Sequence, residues 1–222
     1  MDGRAHTAAP RTEGLRERKK RQTRQHISDV ATGLFLERGF DAVTIAEIAD
    51  VADVSVNTVY NYFPAKEDLF FDRQDEQVNR LSRAIEGREV GESAAHAVLR
   101  ALRTSLEEGT ADGLDPGFRR FMEVIKESTA LSARILTMQE LICQAVGRTL
   151  REETGADEDD PLPMLIASQL SWVSSVVVNG VLRLVAAGGE PEEVARTVLG
   201  TLDTVESLLG ERTLNYAVKN TP

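Results

Sequence analysis

The side chains best suited to chemistry in this sequence fall in one short stretch, Ser55-Val56-Asn57-Thr58-Val59-Tyr60-Asn61-Tyr62. Their chemistry is recognition rather than bond-making. A carboxamide such as Asn57 carries a donor and an acceptor side by side and can pair with both groups of an adenine edge, while the methyls of Val56 can pack on a thymine methyl. Ser55, Thr58, Tyr60 and Asn61 add hydrogen-bonding groups of the kind that engage phosphate oxygens. None of these residues is acidic, although Asp50, Asp53, Glu67 and Asp68 lie close on either side. A face that merely met water would more often carry carboxylates; this one omits the charge that would repel a polyanion. A second set, Arg18, Lys19, Lys20, Arg21 and Arg24, gathers cations of the type that neutralise phosphates.

Two short helices joined by a tight turn would position the first set. Thr44 precedes an apolar run and Glu47 follows three residues later, the capping box that satisfies orphan amides at a helix start. Ile45, Ile48, Ala49 and Ala52 continue at helical spacing. Asp53-Val54 interrupts, and Ser55 caps a second helix. Pro64 ends it, because the residue before a proline avoids helical geometry. Ile48, Ala52, Val54 and Val59 can lock the pair at a steep angle. This is the layout of a helix-turn-helix, whose second helix enters the major groove; a plain helical hairpin in a bundle is the alternative. The turn calls for a left-handed residue, often glycine, and Asp53 stands there at modest cost.

Upstream, the spacing predicts a helix from about Glu17 to Arg38, with Ile27, Val30, Ala31, Leu34 and Phe35 as its stripe and Gly39 as its cap. The basic first turns project beyond that stripe. Downstream, Lys66 opens a fourth helix, where its ammonium and the unpaired amides together suit a phosphate. Phe70, Val78, Leu81 and Ile85 extend that helix toward Gly87.

The blocks F-D-A-V-T-I-A-E-I-A (40–49) and V-S-V-N-T-V-Y-N-Y-F-P-A-K-E-D-L-F (54–70) resemble the DNA-binding head of the TetR family of transcriptional regulators, over residues 16–70. Together with this resemblance, the DNA-binding set becomes Arg18, Lys19, Lys20, Arg21, Arg24, Thr44, Ser55, Val56, Asn57, Thr58, Tyr60, Asn61, Tyr62 and Lys66. Asn57 and Val56 would read bases. Tyr60 and Tyr62 would meet phosphates, with Tyr62 partly in the core. The resemblance also implies a homodimer through the last two long helices, a double-stranded operator as partner, and a small-molecule effector in the body.

Charge distribution agrees with a DNA-binding front end. The chain has a formal charge of −10, yet residues 11–24 hold seven Lys or Arg against two Glu, and residues 71–222 hold 16 against 25 acidic residues. Only one face is built to meet phosphates. The single cysteine, Cys143, allows no internal disulfide and suits a reducing cytoplasm. Residues 1–26 contain no apolar leader, and the apolar stretch 164–187, interrupted by polar residues, reads as a core helix rather than a membrane span. His6, His26 and His96 are scattered, and no metal, nucleotide or hydrolase motif occurs. Neither a catalytic residue nor a metal or cofactor is expected.

The whole reads as all-α: a disordered arm (1–15), a three-helix head (16–64), a helical bundle for ligand binding and dimerisation (65–210) and a tail (211–222). In the bundle, Asp115-Pro116 starts a helix bearing Phe118, Phe121, Met122 and Ile125. These, with Met138 and Ile142 on the next helix and Gln169, Trp172 and Val176 on the one after, are the candidate ligand wall. The stretch Trp172 to Val185 is apolar nearly all round, so one side would face its own bundle and the other a partner; Val177 and Leu202 are the expected seam. The function implied is a repressor released from a palindromic operator by a small, largely apolar effector. A DNA-binding dimer without an effector, and a helical enzyme or carrier with a vestigial hairpin, are the alternatives.

Overall fold

The computed structural model describes residues 14–72, 74–111 and 116–220, with only the backbone described for Gln74 and residues 116–118. Among the described residues the regular structure is entirely α-helical. The chain divides into two compact units, Met1–Phe70 and Phe71–Pro222. The arm expected over residues 1–15 falls mostly outside the described residues, and its last two positions, Gly14 and Leu15, are the N-cap and first residue of a helix.

The first unit contains α1 (Leu15–Arg38), α2 (Ile45–Val51), α3 (Val56–Tyr62) and α4 (Lys66–Phe70). Its core is the predicted stripe of α1 closed by the hairpin. Ile27, Ala31 and Phe35 are fully buried with Ile48, Val59, Phe63 and Leu69. Burial of each such side chain is worth about 1.5–3 kcal/mol. Phe35, Phe40 and Phe70 form an aromatic cluster with centroids 4.9, 5.9 and 6.2 Å apart. The unit therefore extends to Phe70, beyond the boundary expected at Pro64, because α4 gives Leu69 and Phe70 to this core.

The second unit contains α5 (Gln74–Val78), α6 (Arg80–Glu86), α7 (Ala94–Glu107), α8 (Pro116–Glu127), α9 (Thr129–Thr154), α10 (Leu162–Ala186), α11 (Pro191–Leu208) and α12 (Glu211–Leu214). The stripe of α7, Ala95, Val98, Leu99, Leu102 and Leu106, is buried against Val173, Val177 and Val181 of α10 and Val194, Val198, Leu202 and Val205 of α11. The two longest helices, α9 and α10, approach so closely that a Cβ on Gly147 would stand 2.8 Å from Met164 Cε. The αL turn closing α9 falls at Gly155, φ 63°. By length and composition α10 could cross a membrane, but its Val173, Val177 and Val181 line is sunk in the bundle core. The expected N-cap Asp115 lies outside the described residues.

Two expectations are corrected. The fourth helix is three pieces, α4, α5 and α6, rather than one continuous rod. Successive residues go to different cores: Phe70 joins the head's cluster, whereas Phe71 packs edge-on to Phe121, centroids 6.3 Å apart. The segment 211–220 is no loose tail. It forms α12 and then a strap, with the Gly91 N–H donating to Lys219 O (2.9 Å) and the Lys219 N–H to Glu92 O (3.0 Å). Arg88, only 4% exposed, holds the strap's base. Its guanidinium donates to Ile85 O (2.5 Å), Glu92 O (3.2 Å) and Ala217 O (2.8 Å), and pairs with Glu153. A guanidinium is tolerated at that depth because its donors are met.

Candidate nucleic-acid interface

The hairpin is aimed by hydrogen bonds at each of its ends. At the start of α2, the Thr44 hydroxyl accepts from the Glu47 N–H (3.2 Å), and the Glu47 carboxylate accepts from the Thr44 N–H and hydroxyl, both at 2.8 Å. The Thr44 N–H, then its hydroxyl and the Arg38 guanidinium, hold the Glu47 carboxyl below the usual carboxylate range. At the turn, the Ala52 N–H reaches Ile48 O and the Val54 N–H reaches Ala49 O, each at 2.9 Å. Asp53 has φ 52°, the left-handed conformation the turn requires. His26 of α1 touches the same turn, its Nε2 3.2 Å from Ala52 O. A carbonyl only accepts, so Nε2 carries the proton in this contact.

Helix α3 is pinned in the same manner. Ser55 Oγ accepts from the Thr58 N–H at 3.0 Å and lies 2.8 Å from the Thr58 hydroxyl. At the other end Arg24 donates to Tyr62 O (2.9 Å) and lies over the Phe63 ring, 4.4 Å from its centroid. A cation there complements the negative end of the helix dipole and stacks on an aromatic face. With Val59 buried beneath, α3 presents Ser55, Val56, Asn57, Tyr60 and Asn61 to solvent, and Thr58 and Tyr62 are half-buried. Val56 is 42% exposed and Tyr60 49%. Arg18, Lys19, Lys20 and Arg21 are exposed along the N-terminal turns of α1. Thr44 is exposed as well, its hydroxyl engaged in the capping box.

One member of the expected set turns inward. The sequence suits Lys66 to a phosphate, but its Nζ donates to Phe40 O at 2.6 Å and sits 4.3 Å from the Phe40 centroid. Burial lowers its pKa. Its ammonium therefore clamps the α1–α2 loop onto α4. Arg24 is tied to the C-terminal end of α3 through Tyr62 O and the Phe63 ring. His26, which touches the turn, is in sequence one of three scattered histidines with no motif to mark it. The available signal was its place beside Ile27, at the edge of the stripe that packs on the hairpin.

None of the candidate ligand residues lines either of two clefts found among the described residues. Ile125 is buried, while Phe121, Met122, Met138, Ile142 and Val176 are half-buried. The side chain of Phe118 lies outside the described residues. Gln169 is turned to the strap, where its Oε1 accepts from the Thr213 hydroxyl (2.9 Å). Trp172 is 50% exposed on the outer face of α10 and is removed from the wall. A gap of about 10 Å³ remains among Leu102, Ser105, Ala111, Val177 and Val178, a space of roughly one water.

Fold and site define a helix-turn-helix DNA-binding protein. Residues 27–72 match the family model described as bacterial regulatory proteins, tetR family. The chain is 28% identical to the transcriptional regulator TcmR of Streptomyces glaucescens over 175 residues, 77% of each chain. Over 70 residues it is 36% identical to the transcriptional repressor KstR of Mycobacterium tuberculosis, 32% of this chain and 30% of that one. The solved SmeT–triclosan complex shares the fold, with a TM-score of 0.55 at 17% identity, covering 90% of this chain and 98% of the other. The match places the DNA-binding head of the tetR family of bacterial regulatory proteins at residues 27–72.

Proposed function

We propose that the protein is a homodimeric repressor that holds a palindromic double-stranded operator and is released from it by a small, largely apolar effector. The observation that carries this reading is the exposed, acid-free face of α3, capped at both ends and standing in the same unit as the basic turns of α1. Exposed Asn57 and Val56 occupy the first turn of α3, the part of such helices that reaches base edges. The relative KstR is named a repressor and SmeT is complexed with triclosan, which supports effector-controlled repression in this fold. Such control requires the effector to favour one body conformation by its own binding energy. Phe121, Met122, Met138 and Ile142 on α8 and α9, all half-buried, are the side chains that would part around it. The cytoplasm, where the DNA lies, is the place of action.

Dimerisation uses the outward side of the last two long helices. Trp172 (50% exposed), Leu165 (57%) and Leu208 (71%) are large apolar groups left on the surfaces of α10 and α11. The expected seam residues Val177 and Leu202 are instead buried within their own subunit, at 3% and 0%. The seam is therefore reassigned to Leu165, Trp172, Val176 and Leu208.

Fluorescence anisotropy with DNA from upstream of the protein's own gene tests the reading. Binding should weaken with salt, log K falling by about 0.9 per log unit of salt for each phosphate neutralised. Replacing Lys19, Lys20 and Arg21 by Ala should flatten that slope and leave base preference unchanged. Salt-insensitive binding, or none to any segment of that DNA, would contradict it.

A further inference from the structure

We infer that the cleft between α6 and α9 binds a small zwitterion of the α-amino acid class. This goes beyond the operator face and the apolar effector, and shares no residue with either. The cleft has a volume of about 280 Å³. That is far more than the ~10–15 Å³ that one water needs on the same measure, and just below the ~300–1,000 Å³ range of drug-sized pockets. Ser82, Arg83 and Glu86 line one side, and Arg148, Thr149 and Glu152 the other.

Three observations point to a ligand. Ser82 is 5% exposed, and its hydroxyl is buried with no hydrogen-bond partner. Such a group normally finds a partner, and leaving it unmet is costly. The side chains of Arg83, Glu86, Arg148 and Glu152 make no hydrogen bond or ion pair although they line one cleft. The neighbours that could neutralise one another, Arg83 with Glu86 and Arg148 with Glu152, run cation-first along their helices, the weaker orientation for such pairs.

The charges select the ligand. Two guanidiniums offer forked donors that match a carboxylate, and two carboxylates accept from an ammonium. A simple anion would be drawn to Arg83 and Arg148 but repelled by Glu86 and Glu152. A simple cation meets the reverse. A neutral molecule with separated charges satisfies both pairs, and the Ser82 hydroxyl in the cleft lining can donate to its carboxylate or accept from its ammonium.

The test is thermal stability of the full chain with a panel of L-amino acids, each added singly at millimolar concentration, and with acetate and methylamine alone. A binding amino acid should raise the Tm by about 2–4 °C or more once it is in large excess over its Kd. Ser82→Ala, which removes only an unpartnered hydroxyl and should fold, should weaken that ligand by roughly tenfold, and Arg148→Ala by roughly 10- to 100-fold, both read by calorimetry. The proposal is overturned if no amino acid shifts the Tm, if acetate alone gives the same shift, or if the shift survives unchanged in Ser82→Ala and Arg148→Ala. Operator binding by the unliganded protein is unaffected by any of these outcomes, so failure here leaves the regulator assignment standing.

Discussion

The head and the body are both helical, yet different forces place their exposed residues. In the head, the devices that aim α3 are hydrogen bonds of short reach: Thr44 with Glu47 and Ser55 with Thr58, each three residues apart, plus single crossings from Arg24 and His26 of α1. In the body, what faces out is whatever packing leaves over. Val173, Val177 and Val181 of α10 are taken by α7 and α11, and Trp172, one residue from Val173, is left 50% exposed. A device made of hydrogen bonds at fixed spacing leaves a motif in the sequence; a packed face leaves only a period. The polar face of α3 and the apolar face of α10 are thus the two surfaces on which the proposed DNA and dimer contacts rest, recognisable by different signs.

The sharpest way to break this contrast is a charge on each side of the last two helices. Leu202→Glu, in the core, should destabilise the subunit by about 3–5 kcal/mol in denaturant melts, because it buries an unpaired carboxylate. Trp172→Glu, on the outer face, should leave a folded chain that sediments as monomer. Equal unfolding by both would erase the distinction between inward and outward faces. In the head, Arg24→Ala should cost about 1–2 kcal/mol of stability, the sum of a carbonyl hydrogen bond and a cation–π contact. It should lower affinity for cognate and variant operators alike. A loss confined to DNA binding, with stability intact, would return Arg24 to the phosphates.

The smallest effect is expected at the capping box. Thr44→Ala should lower the Tm by about 2–4 °C at neutral pH. The folded Glu47 carboxyl titrates below its unfolded value. Its contribution is therefore complete above the ordinary carboxylate pKa and is lost as pH falls through the depressed folded value. Melts of wild type and Thr44→Ala should accordingly converge on acidification. A gap that stays constant with pH would show that the box does not depend on the ionised carboxylate.

The same contrast explains what could be read in advance. Both caps, the left-handed Asp53 and the face of α3 were legible, because each depends on neighbours within a few residues. The place of Lys66 is not legible in the sequence because its partners, the carbonyl and ring of Phe40, lie 26 residues upstream. A cation in sequence does not say whether it meets a phosphate or its own backbone. The strap after α12 escaped notice for a related reason: its anchors, Arg88 and the 91–94 backbone, are more than 100 residues away. In the bundle the apolar period gave α9, α10 and α11 with ends within one or two residues, but could not choose between Trp172 and Val177 for the seam. That choice depends on the rotation of α10 against helices elsewhere in the chain.

That α3 reads bases, with Asn57 on an edge and Tyr60 on the backbone, is tested most directly by titrating Asn57→Ala and Tyr60→Phe against single-base variants of the operator. Asn57→Ala should lose about 1–3 kcal/mol on the cognate site and relax preference at one base pair of each half-site. Tyr60→Phe should weaken every variant by a similar factor, since phosphate contacts carry no sequence information directly. A uniform loss for Asn57→Ala across all variants would contradict the assignment and place α3 in a different register on the DNA.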